Sequence, residues 1–368
     1  MEEPPTGVLP EIDDPRPPYG RTGHPFFMHD MILSQPSAIE RTVDAALRAA
    51  EGIPRPPLDR PLLFVGQGTS FHAALGGAFA ARALLGPRLA VRAVASFDLL
   101  LDPETVEAAG VAVIYSASGE TALTIRAQEA LARARVPQVL VTATPDSASA
   151  QLAPHRLFTE DADERAWTHT VSFTTALAAS YALLVTWTGK NPASLRDLSR
   201  AASTVVRDEG EWKALAEHLH GRRRILLVGS GPAEVTVREA ALKLREGAGR
   251  FTATVGVEEF LHGTLPSIGD DVAVLAVAET ALELARARHA VRAAAIAGAK
   301  VALFGPVDMS HRPEEYPLPP VPPAFSPAVH VIPLQLVTYW TAVREGRNPD
   351  VMGYDQPAIW SARRSFGI

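Results

Sequence analysis

The chain has no cysteine among its 368 residues, which removes disulfides, thiolate metal sites and cysteine nucleophiles together. It also lacks an uninterrupted apolar run long enough to cross a bilayer, so no membrane partner is expected. Met1 to Gly20 holds acids and prolines where a signal peptide needs a basic start and an apolar core, and a cytoplasmic location is the simple expectation. A basic stripe is missing too: the net charge is −6, and the 35 basic and 41 acidic residues are interspersed, so no nucleic-acid surface is expected. An anionic small ligand stays compatible with that total, because local donors can bind it. The usual nucleotide signatures are incomplete. Gly66-x-Gly68 has Phe71 where a dinucleotide fingerprint needs its third glycine, no acid follows at ribose distance, and no Gly-Lys-Ser/Thr loop is present. Around His262 the spacing is wrong for a zinc H-E-x-x-H helix and the second histidine is missing. No cofactor and no metal are therefore expected.

What is present is material for a large core, with 47% apolar residues in a chain long enough for two domains. Strand-like runs and helical periods alternate, which predicts an α/β fold with parallel sheets covered on both faces. The expected strands are Pro61 to Val65, Leu89 to Val94, Val111 to Ile114, Gln138 to Thr142, a short one at Leu157, and Arg224 to Val228. Helices are expected over His29 to Glu51, Phe71 to Leu85, Thr121 to Arg135, Phe173 to Thr188, Ala193 to His220, Val235 to Arg245 and His330 to Glu345. Leu63-Phe64-Val65-Gly66-Gln67-Gly68 is echoed by Leu226-Leu227-Val228-Gly229-Ser230-Gly231, and Gly119-Glu120-Thr121-Ala122-Leu123 by Ala278-Glu279-Thr280-Ala281-Leu282. Two echoes at nearly one offset indicate a duplicated unit. The division that follows is an arm at 1–28, a first unit at 29–195, a second at 196–345 and a tail at 346–368.

Ser116-Ala117-Ser118-Gly119-Glu120-Thr121 joins a buried strand to a helix start, where amide N–H groups lack intrahelical partners and the macrodipole is positive. Its hydroxyls could donate to phosphate oxygens, or Ser118 or Thr121 could merely cap the helix. The second unit has alanines near the matching positions, so one anion site per chain is expected. Thr69 and Ser70 end another strand, and two hydroxyl turns on neighbouring strands would face one crevice. Glu239, Lys243 and Glu246 share one helix face, a pattern that is usually solvated. Glu258-Glu259-Phe260-Leu261-His262-Gly263 places a histidine beside a glycine turn and after two glutamates, which suits acid/base work as well as a structural role. For Glu164 to Thr170, a polar loop ahead of the Phe173 helix, spacing leaves capping and function both open.

In this order the motifs resemble the sugar isomerase (SIS) family, most of all the isomerase half of its amino-sugar-phosphate synthases and their deaminase-like relatives. The resemblance runs from about Phe26 to Glu345. It rests on residues 66–72, 116–121, Phe173-Thr174-Thr175, 241–246, 259–263 and Ile332-Pro333-Leu334-Gln335. It implies two tandem SIS subdomains, each a three-layer αβα sandwich. It also implies a sugar-phosphate ligand and a homodimer. Thr69, Ser70, Ser116, Ser118 and Thr121 would hold the phosphate. Glu246 would move a proton between C1 and C2, and His262, reaching across the dimer, would help to open the ring. Lys243 and Glu164 would line the same site. Three residues depart from the family pattern. Ala117 stands where a glutamine is usual, and Val171 where the Ser-Thr-Lys segment has its lysine. In the tail, Ala362 or Arg363 falls where the synthases carry a Schiff-base lysine, and arginine cannot form an imine. Without cysteine, glutamine hydrolysis by this chain is not expected either. The resulting expectation is an isomerase or deaminase of a hexose phosphate or amino-sugar phosphate. The alternative is a sugar-phosphate-binding regulator that does not turn its ligand over.

Overall fold

A computed structural model describes residues 21–307 and 312–365. The expected arm therefore lies largely outside the described residues. The first half runs α1 (Phe27–Ala50), β1 (Leu62–Gly66), α2 (Thr69–Leu85), β2 (Val91–Ala95), α3 (Ser96–Leu100), α4 (Pro103–Ala108), β3 (Val111–Tyr115), α5 (Ala122–Arg133), β4 (Gln138–Thr142), α6 (Ala148–Leu152), β5 (His155–Phe158) and α7 (Val171–Thr188). Two connecting helices, α8 (Ala193–Arg207) and α9 (Glu209–Leu219), lead to β6 (Arg224–Val228), α10 (Pro232–Ala248), β7 (Phe251–Val255), the short α11 (Val257–Glu259), β8 (Val272–Val277), α12 (Ala281–Ile296), β9 (Lys300–Gly305) and β10 (Glu315–Pro317). The chain closes with α13 (Pro327–His330), α14 (Ile332–Arg344) and α15 (Pro357–Ser365).

Two five-stranded parallel sheets result, with orders β2-β1-β3-β4-β5 and β10-β9-β8-β6-β7. Numbered within each unit these are the same topology, which is what a duplication produces. Register aligns the carboxyl ends: Val65 lies beside Ile114, and Tyr115 beside Val141. Strands β1 and β3 are buried along their whole length, because both faces are covered. Leu62, Phe64, Val113 and Tyr115 face one apolar core, and Leu63, Val65, Ala112 and Ile114 face another on the far side. The first of these cores also takes Ile225, Leu227, Leu275 and Phe304 of the second sheet, so one continuous apolar interior joins the two halves.

Several boundaries differ from expectation. Helix α2 starts at Thr69, which puts Thr69 and Ser70 in its first turn. The single connector expected over Ala193 to His220 is two helices that meet at Asp208. The tail, for which no element is expected from the sequence, contains a 3-10 turn (Pro349–Val351) and α15, whose side chains are all at least partly exposed. The proline-rich stretch from Ser310 to Val329 begins outside the described residues and includes β10 and the start of α13. Helix α7 is the one described helix long and apolar enough to cross a membrane, but 83% of it is buried inside the protein as the first unit's core helix.

Candidate active site

Both sheets reverse strand order at the same place, and in the first sheet that point lies between β1 and β3, where open α/β sheets bind ligands. A cleft of about 320 Å³ lies there. Hydroxyls make up much of its wall: Thr69 and Ser70 from α2, Ser116 after β3, Thr142 at the end of β4, Thr159 after β5, and Ser172 from α7. The first turns of two long helices, α2 and α7, contribute to the lining, so partial positive charge from both converges on the cleft. The Ser116 hydroxyl is buried and has no hydrogen-bond partner among the described residues. A buried donor in that state is suited to a ligand oxygen.

The loop after β3 makes little use of its hydroxyls for capping. Thr121 is the N-cap of α5, yet its side chain makes no capping bond, and Ser118 Oγ only accepts from Glu120 N at 3.2 Å. Gly119 is held at φ +69°, and a Cβ there would collide with the Ser147 side chain. The tight loop therefore needs glycine for both space and conformation. In the second unit the corresponding loop is closed by its own carboxylate: Glu283 accepts from Glu279 N at 2.8 Å and Thr280 N at 2.9 Å. Those amides are satisfied internally.

Helix α10 brings a buried charge cluster to the other side of Thr69. Glu239 and Lys243 are both 0% exposed, so the expectation of a solvated face for this triplet is wrong. Amphipathic spacing cannot distinguish a charged stripe facing water from one facing a second domain, and here α10 packs on α2. Thr69 Oγ1 lies 3.2 Å from Glu239 and 3.1 Å from Lys243 Nζ. His72 Nδ1 is 2.7 Å from the other Glu239 oxygen, and Lys243 Nζ also pairs with Glu246 at 2.5 Å. Burial opposes both charges, but the pairing outweighs it: Lys243 keeps Glu239 below its ordinary pKa, while Glu239 and then Glu246 hold Lys243 above its own. For Glu246 burial prevails over Lys243, and its pKa is raised. That carboxyl lines a further hollow of about 650 Å³ shared with Asp355 and Gln356 of the tail.

Glu164 resolves the capping question in favour of a cap with additional electrostatics. One carboxyl oxygen accepts from Thr170 N at 2.5 Å and Ser172 N at 2.9 Å at the start of α7. The other oxygen is buried without a partner among the described residues, and burial pushes the group up to about 7 despite the nearby Lys243. His169, in the same loop, lines the cleft; burial, then Lys243, bring its pKa down to about 4.

Of the residues singled out in the sequence, Thr69, Ser70 and Ser116 share the cleft. Lys243 and Glu246 join it through Thr69, and Lys243 connects Glu164 to the same field. Ser118 and Thr121 sit exposed on the outer lip. His262 does not meet them within one chain: its side chain is 77% exposed and lies 3.4 Å from Glu258. Sequence reasoning gave no role to His72, His169 or Glu239. The interval from Thr69 to His72, one helical turn, was the available signal for His72.

The fold is a double parallel-sheet α/β architecture with a hydroxyl-lined crevice at a strand-order reversal. No family model matches the chain. Curated relatives do: the isomerizing glutamine–fructose-6-phosphate aminotransferase of Pyrobaculum aerophilum is 30% identical over 346 residues, covering 89% of this chain and 56% of the relative. That of Methanothermobacter thermautotrophicus is 30% identical over 345 residues with the same coverage. The chain thus spans little more than half the length of these relatives. Among solved structures it is similar to the C-terminal domain of glucosamine-fructose-6-phosphate aminotransferase from Francisella tularensis (TM-score 0.78, 19% identity, 89% of this chain and 98% of that one). It is also similar to tagatose-6-phosphate ketose/aldose isomerase from Escherichia coli (TM-score 0.76, 18% identity, 89% and 95%). Over 89% of its length the chain is thus similar to these aminotransferases, and it shares its two-sheet fold with both solved structures, which is consistent with the sugar isomerase (SIS) resemblance of its motifs.

Proposed function

We propose that the protein is a phosphosugar isomerase or deaminase acting on a hexose phosphate or amino-sugar phosphate. The phosphate sits among Thr69, Ser70, Ser116, Ser118 and Thr121, and Glu246 moves the proton between C1 and C2 through an enediol. The observation that carries this reading is the connection through Thr69. One hydroxyl belongs to the anion cleft and also to the buried Glu239–Lys243–Glu246 cluster, so a phosphate anchor and a carboxyl with a raised pKa stand on one rigid frame. A carboxyl brought toward neutrality is matched to shuttling a proton near neutral pH. Phosphate binding energy then positions the reacting carbons. The names of the similar proteins, which include a glucosamine-6-phosphate deaminase from Thermotoga maritima, point the same way.

Imine chemistry fits poorly. The chain's lysines are Lys190, Lys213, Lys243 and Lys300. Lys243 is held charged between carboxylates, Lys213 lies over the Trp340 ring, and Lys300 donates to the His218 carbonyl. Arg363, in the tail, stacks over Trp167 and Tyr354 instead of offering an amine. Proton transfer without a Schiff base is the chemistry these groups support.

The test is exchange of the C2 proton of hexose and amino-sugar phosphates in deuterated water, followed by NMR. Wild type should exchange at least one of them, and Glu246→Gln should lower the rate about 100-fold or more, as expected for loss of a positioned proton shuttle. Ligand binding with no exchange in wild type would make the chain a sensor of sugar phosphates.

A further inference from the structure

Among the described residues, no lysine or arginine lines the anion cleft. Its lining is Thr69, Ser70, Ser116, Thr142, Thr159 and Ser172 among apolar groups, with one imidazole, His169. A phosphate carries close to two charges and three strong acceptor oxygens at neutral pH, and beyond the partial charge of two helix N-termini the side chains offered to it are neutral hydroxyls. The cleft also includes Ala117, whose methyl group offers no polar atom from the loop after β3. His169 enters the same cleft from the loop ahead of α7. Its Nδ1 is 3.4 Å from Ser172 Oγ, a long contact that leaves Nε2 as the ring atom able to reach a ligand. The ring is uncharged at neutral pH, so it presents one N–H and one bare nitrogen.

We propose that His169 is the residue of this cleft that selects a phosphorylated ligand, supplying from the α7 side the polar contact that Ala117 cannot supply from the β3 side. The inference rests on the phosphosugar reading above and adds to it a named determinant of phosphate recognition. A neutral N–H donor with a fixed ring orientation contributes less raw attraction than a lysine. It is also geometrically stricter, because its single donor must point at an oxygen in the ring plane.

Calorimetric titration of the full chain with fructose 6-phosphate and with fructose separates the alternatives. Wild type should bind the phosphate ester and show no measurable affinity for fructose. His169→Ala should weaken the ester about 10-fold or more, the usual scale for a lost hydrogen bond to a charged group. His169→Gln, which can place an N–H near the position of Nε2, should recover part of that loss. So should Ala117→Gln in the His169→Ala background, since it returns a polar group to the opposite wall. Thermal melts of each variant identify any that fail to fold. For those, the ¹⁵N resonance of His169 Nε2 in folded wild type, which should shift when the ester is added, gives the answer instead. Wild-type affinity in folded His169→Ala, with binding lost in Ser116→Ala, would overturn the role of His169 and leave the phosphosugar reading standing. If wild type bound no member of a panel of sugar phosphates, both would fall.

Discussion

Glu164 turns one carboxyl oxygen to two backbone amides and leaves the other buried without a partner among the described residues. Its pKa is raised from 4.5 to about 7 by burial, so the folded chain holds a proton there that the unfolded chain releases earlier. A raised carboxyl contributes stability that is full below pH 4.5 and lost as pH rises through about 7. Glutamine can keep both amide bonds through its oxygen and has no charge to bury. Glu164→Gln should therefore match wild type in melting temperature near pH 5 and exceed it near pH 8, by an amount worth roughly 2 kcal/mol. Melts across that range check it, and a constant difference between the two proteins would remove the buried-proton account. At this scale the sequence was only partly informative. Serines and threonines next to glycine announce an anion loop from local chemistry alone. The value of Glu164, Glu239 and Lys243 depends on burial, and burial depends on a second element that the local pattern does not contain.

Gly119 shows how one loop ties a helix to its neighbour. The amide of Ser149 donates to the Gly119 carbonyl, and the amide of Ala148 to the Glu120 carboxylate, so the loop after β3 is fastened to the start of α6. Gly119→Ala adds a methyl group against Ser147 in a left-handed backbone position. It should lower stability by about 1–3 kcal/mol and abolish saturable binding of a hexose phosphate, because the loop must open to fit it. Adding Ser147→Gly removes the collision but not the conformational cost, and should restore part of the stability. A double variant no more stable than Gly119→Ala would show that the contact is not the cause. Element types were legible from hydrophobic period through most of the first unit, whereas β7, β8, α12 and β9 of the second unit are not among the elements expected from the sequence. Strand β4 appears at its expected bounds, and α7 begins two residues earlier than its apolar run suggests. Helix α15 was missed because it packs by aromatic stacking and not by an apolar stripe: Tyr354 meets Trp167 and Trp360 edge-on, and Arg363 lies over the same rings. At nine residues, mostly exposed, α15 offers only Ile359 and Trp360 as large apolar residues, which is little for a period to show.

The apolar interior is shared by both sheets, so the hydroxyl-lined cleft and α10 belong to one body. The remaining piece is His262. It lies on the second unit, exposed, in a segment whose neighbouring Leu261 and Leu265 are only partly buried, and nothing within the same chain brings it to Glu246. If the reaction uses an imidazole at that position, a second copy of the chain must deliver it, and a two-fold dimer would then contain two composite sites. This arrangement makes a specific prediction. Glu246→Gln and His262→Ala should each be inactive as pure proteins. When both chains are co-expressed and assort at random, half the dimers pair one of each, and each such dimer holds one site with an intact Glu246 and an intact His262. The mixture should recover about a quarter of the wild-type exchange rate. Differently tagged chains purified in two steps isolate the mixed dimer, which should then run at about half the wild-type rate. A mixed dimer without activity would place His262 outside the reaction at the partner's Glu246, and full activity in pure His262→Ala would remove it from the chemistry altogether.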